Sequence, residues 1–237
     1  MASKPIMFNQ EMVKAILDGR KTMTRRVIKY DFETVYNAAC QNGIMDKVCE
    51  YGELPESAAE WYVKNIAKPK YQVGDVLWVR ETTYLYGKWQ RNGFTETGKQ
   101  KYKFVWDKTY PVIYAANGKP DDICTGKDEV GYFKRSSIFM PREVARIFLG
   151  VTNVRVERLQ DISVQDAKDE GIKVHANGCI DGLAYGCYNG DDCVNNICQQ
   201  PIKYFHDLWD SLNAKRGYGW GTNPWVWVIE FERTEKP

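Results

Sequence analysis

The chain has 237 residues, 43% apolar and 14% aromatic, a length and composition that exclude disorder and leave room for one sizeable core with insertions. Net charge is +2, so there is no global basic field, and any nucleic-acid contact has to come from local patches. No window approaches the run of about 18 apolar residues that a membrane span needs, and the opening MASKPIMFNQEM lacks a secretion-signal pattern, so a cytoplasmic protein without membrane contact is expected.

In chain order, FNQEMVKAILDG predicts a short amphipathic helix with Asn9 as N-cap and Met12, Val13, Ile16 and Leu17 as one apolar stripe. Gly19 stands where a left-handed residue closes a helix, and Arg20 and Lys21 suit the negative end of its dipole. TMTRRVI then alternates as a strand. Residues 30–70 show neither period cleanly and are expected to be an insertion, partly helical around ESAAEWYVKNIAK. YQVGDVLWVRET predicts a turn at Gly74–Asp75 and a strand in which Val76, Trp78 and Arg80 alternate with Leu77, Val79 and Glu81. KYKFVWD and PVIYAA continue the β signal after the polar QRNGFTETGKQ, and PREVAR is a possible short helix.

IFLGVTNVRVERL predicts a long strand, with Gly150 as a candidate bulge or bend. DISVQDAKDEGI predicts a helix capped by Ser163 and ended by Gly171. A Cys- and Gly-rich insertion covers about 173–200. PIKYFHDLWDSLNAKRG predicts a helix with Ile202, Phe205, Leu208, Trp209 and Leu212 on one face, and PWVWVIEFE a closing strand. Strands outnumber helices and do not interleave as βαβ units. The expected class is α+β: a compact β-barrel or strongly curved sheet with a few packed helices.

The stretch GRKTMTRR concentrates cations and hydroxyls in one turn. A helix end with dipole-matched cations accounts for Gly19, Arg20 and Lys21, but leaves Thr22, Thr24, Arg25 and Arg26 unexplained. A site for an anionic or polar ligand accounts for all of them. In RET, Arg80 and Glu81 point to opposite faces of their strand, so one of them can line a pocket. Tyr218 and Trp220 are either corner packing or a stacking platform beside Lys215 and Arg216.

Seven cysteines, an odd number with no secretion signal, argue against a disulfide framework. Cys179, Cys187, Cys193 and Cys198 are either free thiols of an inserted loop or the ligands of a structural zinc, although only the last pair approaches the usual knuckle spacing. His175 and His206 are weak candidates for chemistry.

The ordered set GRKTMTRR, GDVLWVRET, VTNVRVERLQDISVQDAKDEGI, LWDSLNAKRG and PWVWVIEFE resembles the ASCH-domain family, specifically its longer phage and prophage members. The resemblance implies a PUA-like barrel, here a single domain over 1–237 with insertions about 30–70 and 173–200. Some members of that family are amidohydrolases that remove the acyl group from N4-acetylcytidine and related bases; others are ribonucleases or are linked to RNA metabolism. The amidohydrolase site is a Lys, a Thr and a Glu, which the matching motifs place at Lys21, Thr24 and Glu170, with no cofactor required. Arg20, Arg25, Arg26, Arg80 and Glu81 would contact the substrate, a modified nucleoside or single-stranded RNA. The segment YFKRSSIFMPR departs from the family, with Phe133 and Phe139 where its longer members commonly carry Trp and His. A neutral lysine can take the proton of a threonine hydroxyl, provided burial or neighbouring cations lower its pKa. Lys21 and Thr24 lie three positions apart, so the pair also needs Lys21 in the turn, ahead of the extended segment.

Overall fold

The computed structural model describes residues 3–43, 56–172 and 200–237. In chain order the elements are β1 (Ser3–Met7), α1 (Gln10–Leu17), β2 (Met23–Val27), α2 (Phe32–Gln41), α3 (Glu56–Asn65), β3 (Val76–Arg80), β4 (Thr83–Phe94) and β5 (Gln100–Trp106). They continue with β6 (Ile113–Tyr114), β7 (Val130–Arg135), β8 (Phe148–Arg158), α4 (Val164–Asp169), α5 (Gln200–Asn213) and β9 (Trp225–Thr234). The class is α+β, with two sheets that do not close on themselves among the described residues. No described helix is long and apolar enough to cross a membrane.

The chain divides into two compact units, one formed by Met1–Asp18, Val76–Gly150 and Arg233–Pro237, the other by Gly19–Asp75 and Val151–Glu232. In the first, β1 pairs parallel with β3, and β3 pairs antiparallel with the start of β8. The alternation expected for β3 holds in part: Leu77, Val79 and Glu81 are buried and Val76 and Arg80 less so, but Trp78 on the second face is buried as well. Gly150 is an ordinary ladder position opposite Val76, with no shift of register. A core of Trp78, Met140, Val144, Ala145 and Phe148 fills this region. The segment PREVAR contributes only a 3-10 turn, Arg142–Val144.

Also in the first unit, β4 forms an antiparallel hairpin with β5 and pairs on its other edge with β6 and β7. The polar QRNGF is therefore the far end of a strand and not the connection expected from its composition. Its side chains are largely exposed, so no alternation marks it. Gly87 is required where it stands, because a Cβ there would lie 2.2 Å from the Val105 carbonyl oxygen.

In the second unit β8, β9 and β2 are neighbours in that order, and β2 pairs antiparallel with β9. Met23, Val27, Val226 and Val228 share one face and pack on Leu159, Ile162, Ala167, Phe205 and Trp209, which brings α4 and α5 against the sheet. Trp225 packs with Ile28 and Val63 of α3. Helix α2 joins α3 through Val35, Ala39 and Ala58. Leu212 of α5 is exposed, contrary to the expected stripe. His206 is half exposed and bonds Asp210 Oδ2 at 3.1 Å.

Candidate functional site

The turn after α1 is joined to the end of α4. Asn9 caps α1 by accepting from Met12 N at 2.8 Å, and Gly19 adopts φ 73° just beyond its end. This reversal leaves Arg20, Lys21 and Thr22 as a short extended run ahead of β2. Helix α4 is closed at its start by Ser163, whose hydroxyl accepts from Asp166 N at 3.0 Å, and at its end by Gly171 with φ 97°. Glu170 is its C-cap.

Three consecutive donors meet three consecutive carbonyls there. Arg20 Nη1 donates to Gly171 O at 2.6 Å, Lys21 Nζ to Glu170 O at 2.8 Å, and Thr22 N to Asp169 O at 2.9 Å. The cations that the sequence reading assigned to the dipole of α1 thus also neutralise the negative end of α4.

Lys21 Nζ donates a second bond to Glu170 Oε2 at 2.6 Å; the two side chains are 0% and 4% exposed. A carboxylate at a helix C-terminus opposes the dipole, and the ammonium beside it offsets that cost. Burial pushes the Lys21 amine below its ordinary value of 10.5, the Glu170 carboxylate opposes this, and Arg26 and Arg25 lower it further. Lys21 sits ahead of β2, but in an isolated bridge with Glu170 and not in the turn at Asp18–Gly19, so the placement that the spacing asks for is not the one observed.

Arg25 and Arg26 alternate on β2. Arg25, on the face of Met23, is fully buried at its side chain and lies 5.8 Å from the Phe205 ring. Its Nη2 donates to Asp166 Oδ2 at 2.6 Å and Glu157 Oε2 at 3.1 Å, and its Nη1 lies 3.5 Å from Glu170 Oε1. Arg155 extends the network, pairing with Glu157, Glu230 and, at 3.1 Å, Asp166. Arg26 occupies the other face of β2, together with Thr24. Its guanidinium is buried, and it feels the charges of Tyr71 and Glu170. Lys21, at the head of the strand, is therefore influenced by the cation on each face.

Thr24 is 3% exposed and pairs in register with Ile229. Among the described residues its hydroxyl forms no hydrogen bond with Lys21, whose bonds to Glu170 are those given above. The structure thus brings together Lys21, Glu170, Arg25 and Arg26, with Thr24 on the face of Arg26.

Arg80 and Glu81 belong to the first unit and are engaged there. Arg80 Nη2 donates to the carbonyls of Ile138 and, at 3.4 Å, Met140. Glu81 is buried in a bidentate pair with Arg146, at 2.8 and 2.9 Å. Trp220 packs with Phe205 and His206, and the Tyr218 carbonyl accepts from Trp209 Nε1 at 2.7 Å, so both act in corner packing. Cys179, Cys187, Cys193, Cys198 and His175 lie outside the described residues.

Asp166, Glu157, Arg155 and Glu230 were not singled out from sequence. Two signals pointed to them: Asp166 and Glu170 are four apart and so share a helix face, and Arg155 and Glu157 alternate onto one face of β8.

No family model matches the chain, and no curated protein matches it. Among solved structures, the high-resolution crystal structure of an ASCH domain from Lactobacillus crispatus JV V101 is similar over 98% of this chain and 79% of that chain, at 10% identity and a TM-score of 0.33. A likeness that loose carries no argument about this chain's fold or activity.

Proposed function

We propose that the chain is an ASCH-type amidohydrolase, a single domain with two insertions, that deacylates N4-acylated cytosine nucleosides or similar modified bases. The observation that supports this reading is the buried Lys21–Glu170 pair, joined in a bridge ahead of β2 with arginines on both sides and an amine pushed toward its neutral form by burial. In this reading the Thr24 hydroxyl attacks the acyl carbonyl while Lys21 Nζ takes its proton. The bond from the carbonyl carbon to N4 breaks, and the departing amine receives a proton relayed through Lys21 and Glu170. Water then hydrolyses the ester on Thr24, releasing the carboxylic acid and restoring the hydroxyl. Arg26, on the face of Thr24, anchors the polar edge of the substrate.

The competing readings, a non-catalytic RNA or nucleotide module and a ribonuclease, need the same arginines free for phosphate. Arg20 and Arg80 donate instead to backbone carbonyls, and Arg25 is paired with carboxylates. That engagement favours the deacylase. The test is incubation of purified protein with N4-acetylcytidine, following cytidine by chromatography, alongside Lys21→Ala and Thr24→Ala. Cytidine from the wild type and none above background from either variant is the expected result. No turnover by the wild type removes this substrate, and turnover that survives Thr24→Ala removes the nucleophile.

A further inference from the structure

The first unit carries a different chemistry on the sheet built from β5, β4 and β7. The antiparallel register sets Trp89 opposite Phe104, Leu85 opposite Phe133 and Arg91 opposite Tyr102, all on one face. The rings meet edge to face, with centroids 5.3 Å apart for Trp89 and Phe104 and 5.5 Å for Phe104 and Phe133. Arg135, opposite Thr83 on the same face, holds its guanidinium 4.9 Å from the Trp89 ring, 4.7 Å from Phe104 and 5.1 Å from Phe139. Lys127 stands 4.1 Å from the Tyr102 ring.

These cations rest on rings where the buried arginine of the second unit rests on carboxylates. Among the described residues Arg135 has no carboxylate partner, and Phe139 beside it is 64% exposed. The strands themselves are basic: the hairpin carries Lys88, Arg91, Lys99, Lys101 and Lys103 against Glu96, and β7 carries Lys134 and Arg135 with no acid, while Lys127 stands in a segment that also holds Asp121, Asp122, Asp128 and Glu129. Lys88, Lys101, Lys103 and Lys134 project from the opposite face of the sheet and do not line this one.

One exposed ring, Phe139, with half-buried rings and ring-backed cations beside it on basic strands, is complementary to one class of ligand. We infer that this face of the β5-β4-β7 sheet binds single-stranded nucleic acid, with a base stacked against Phe139 and the Arg135 guanidinium and phosphates met by Arg91 and Lys127. A duplex hides the faces of its bases, whereas a single strand offers them. Stacking on rings and guanidinium planes is tolerant of sequence and of sugar, so RNA and DNA strands are both ligands. An acidic protein segment would use the cations and leave the rings unmatched. This inference does not rest on the deacylase reading, because it concerns binding and needs no turnover.

The experiment is fluorescence anisotropy with labelled oligouridylate and oligothymidylate of roughly 12 nucleotides, an abasic strand of equal length, and polyglutamate as competitor. Phe139→Ala and Arg135→Gln are each expected to weaken binding at least about fivefold. The double variant Arg91→Gln with Lys127→Gln is expected to reduce the slope of log affinity against log salt by about 1.4. Phe139, Arg91 and Lys127 are exposed, so their variants keep the fold and the test stands even if Arg135→Gln does not. Absence of binding at low salt, an abasic strand or polyglutamate bound as tightly as the oligonucleotide, or unchanged affinity in Phe139→Ala would each overturn the inference.

Discussion

Arg25 and Arg135 are both arginines on short strands, and they are handled in opposite ways. Arg25 is enclosed and meets Asp166, Glu157 and Glu170, so its charge is neutralised inside the second unit. Arg135 lies half-buried against three aromatic rings in the first unit. The contrast follows from solvation. A buried charge has to be paired, because desolvation costs more than any unpaired geometry returns, whereas a half-exposed guanidinium keeps part of its hydration and gains from the ring quadrupole. A closed, balanced network suits proton chemistry on a small polar group. An open one, with its guanidinium resting on rings, suits recognition of stacked bases.

The largest effect expected is on catalysis. Lys21→Ala is expected to lower N4-acetylcytidine turnover by about 10²–10⁴-fold, the usual weight of a general base, while Arg135→Gln leaves turnover unchanged; equal losses in both would collapse the distinction between the two regions. Next comes stability. Glu170→Ala strands a buried ammonium and is expected to cost about 3–5 kcal/mol by denaturant unfolding. The double variant Lys21→Met with Glu170→Leu is expected to recover most of that loss, since it removes both charges. A double variant as unstable as the single one would mean that the pair acts through packing alone.

A pH effect of intermediate size separates the regions further. Because the folded pKa of Lys21 is depressed, the unfolded chain binds more protons between that value and 10.5, and stability from this group rises with pH across the window. The contribution is fully present above 10.5 and is lost as pH falls through the folded pKa. Lys21→Met is expected to flatten this rise, as read from unfolding free energies across the alkaline range. The deacylation rate is expected to climb with pH in the same sense, with a limb below 10.5 that Glu170→Gln moves lower, since Glu170 raises the lysine. The smallest effect belongs to the sheet. Arg91→Gln with Lys127→Gln is expected to change stability by no more than about 0.5 kcal/mol, as is usual for surface substitutions.

What was legible from sequence tracks where local chemistry decides the structure. Asn9, Ser163, Gly19 and Gly171 act as read, because a cap is settled by its own hydrogen bond or backbone angle. The strand at Val76–Arg80 and the closing Trp225–Thr234 were visible because burial imposes their pattern. Helix α2 escaped notice: its buried contacts rest on Val35 and Ala39, too few and too small to give a helical period. The outer half of the β4–β5 hairpin, exposed on both faces, gives no alternation at all. At the site, Lys21 was legible in the cation-rich GRKTMTRR cluster and Glu170 through the family resemblance, and the structure joins them across 149 positions of sequence. The residues of the network around Arg25, namely Glu157, Asp166, Arg155 and Glu230, come from β8, α4 and β9, and no short motif holds residues gathered from three elements.

The most direct test of the account is an NMR titration of the Lys21 side chain, observed through its ε-carbon in selectively labelled protein and assigned with Lys21→Arg. A midpoint below 10.5 is expected in the wild type and a lower one still in Glu170→Gln. A midpoint at or above 10.5 would leave Lys21 a permanent cation, and a base for Thr24 would have to be sought elsewhere.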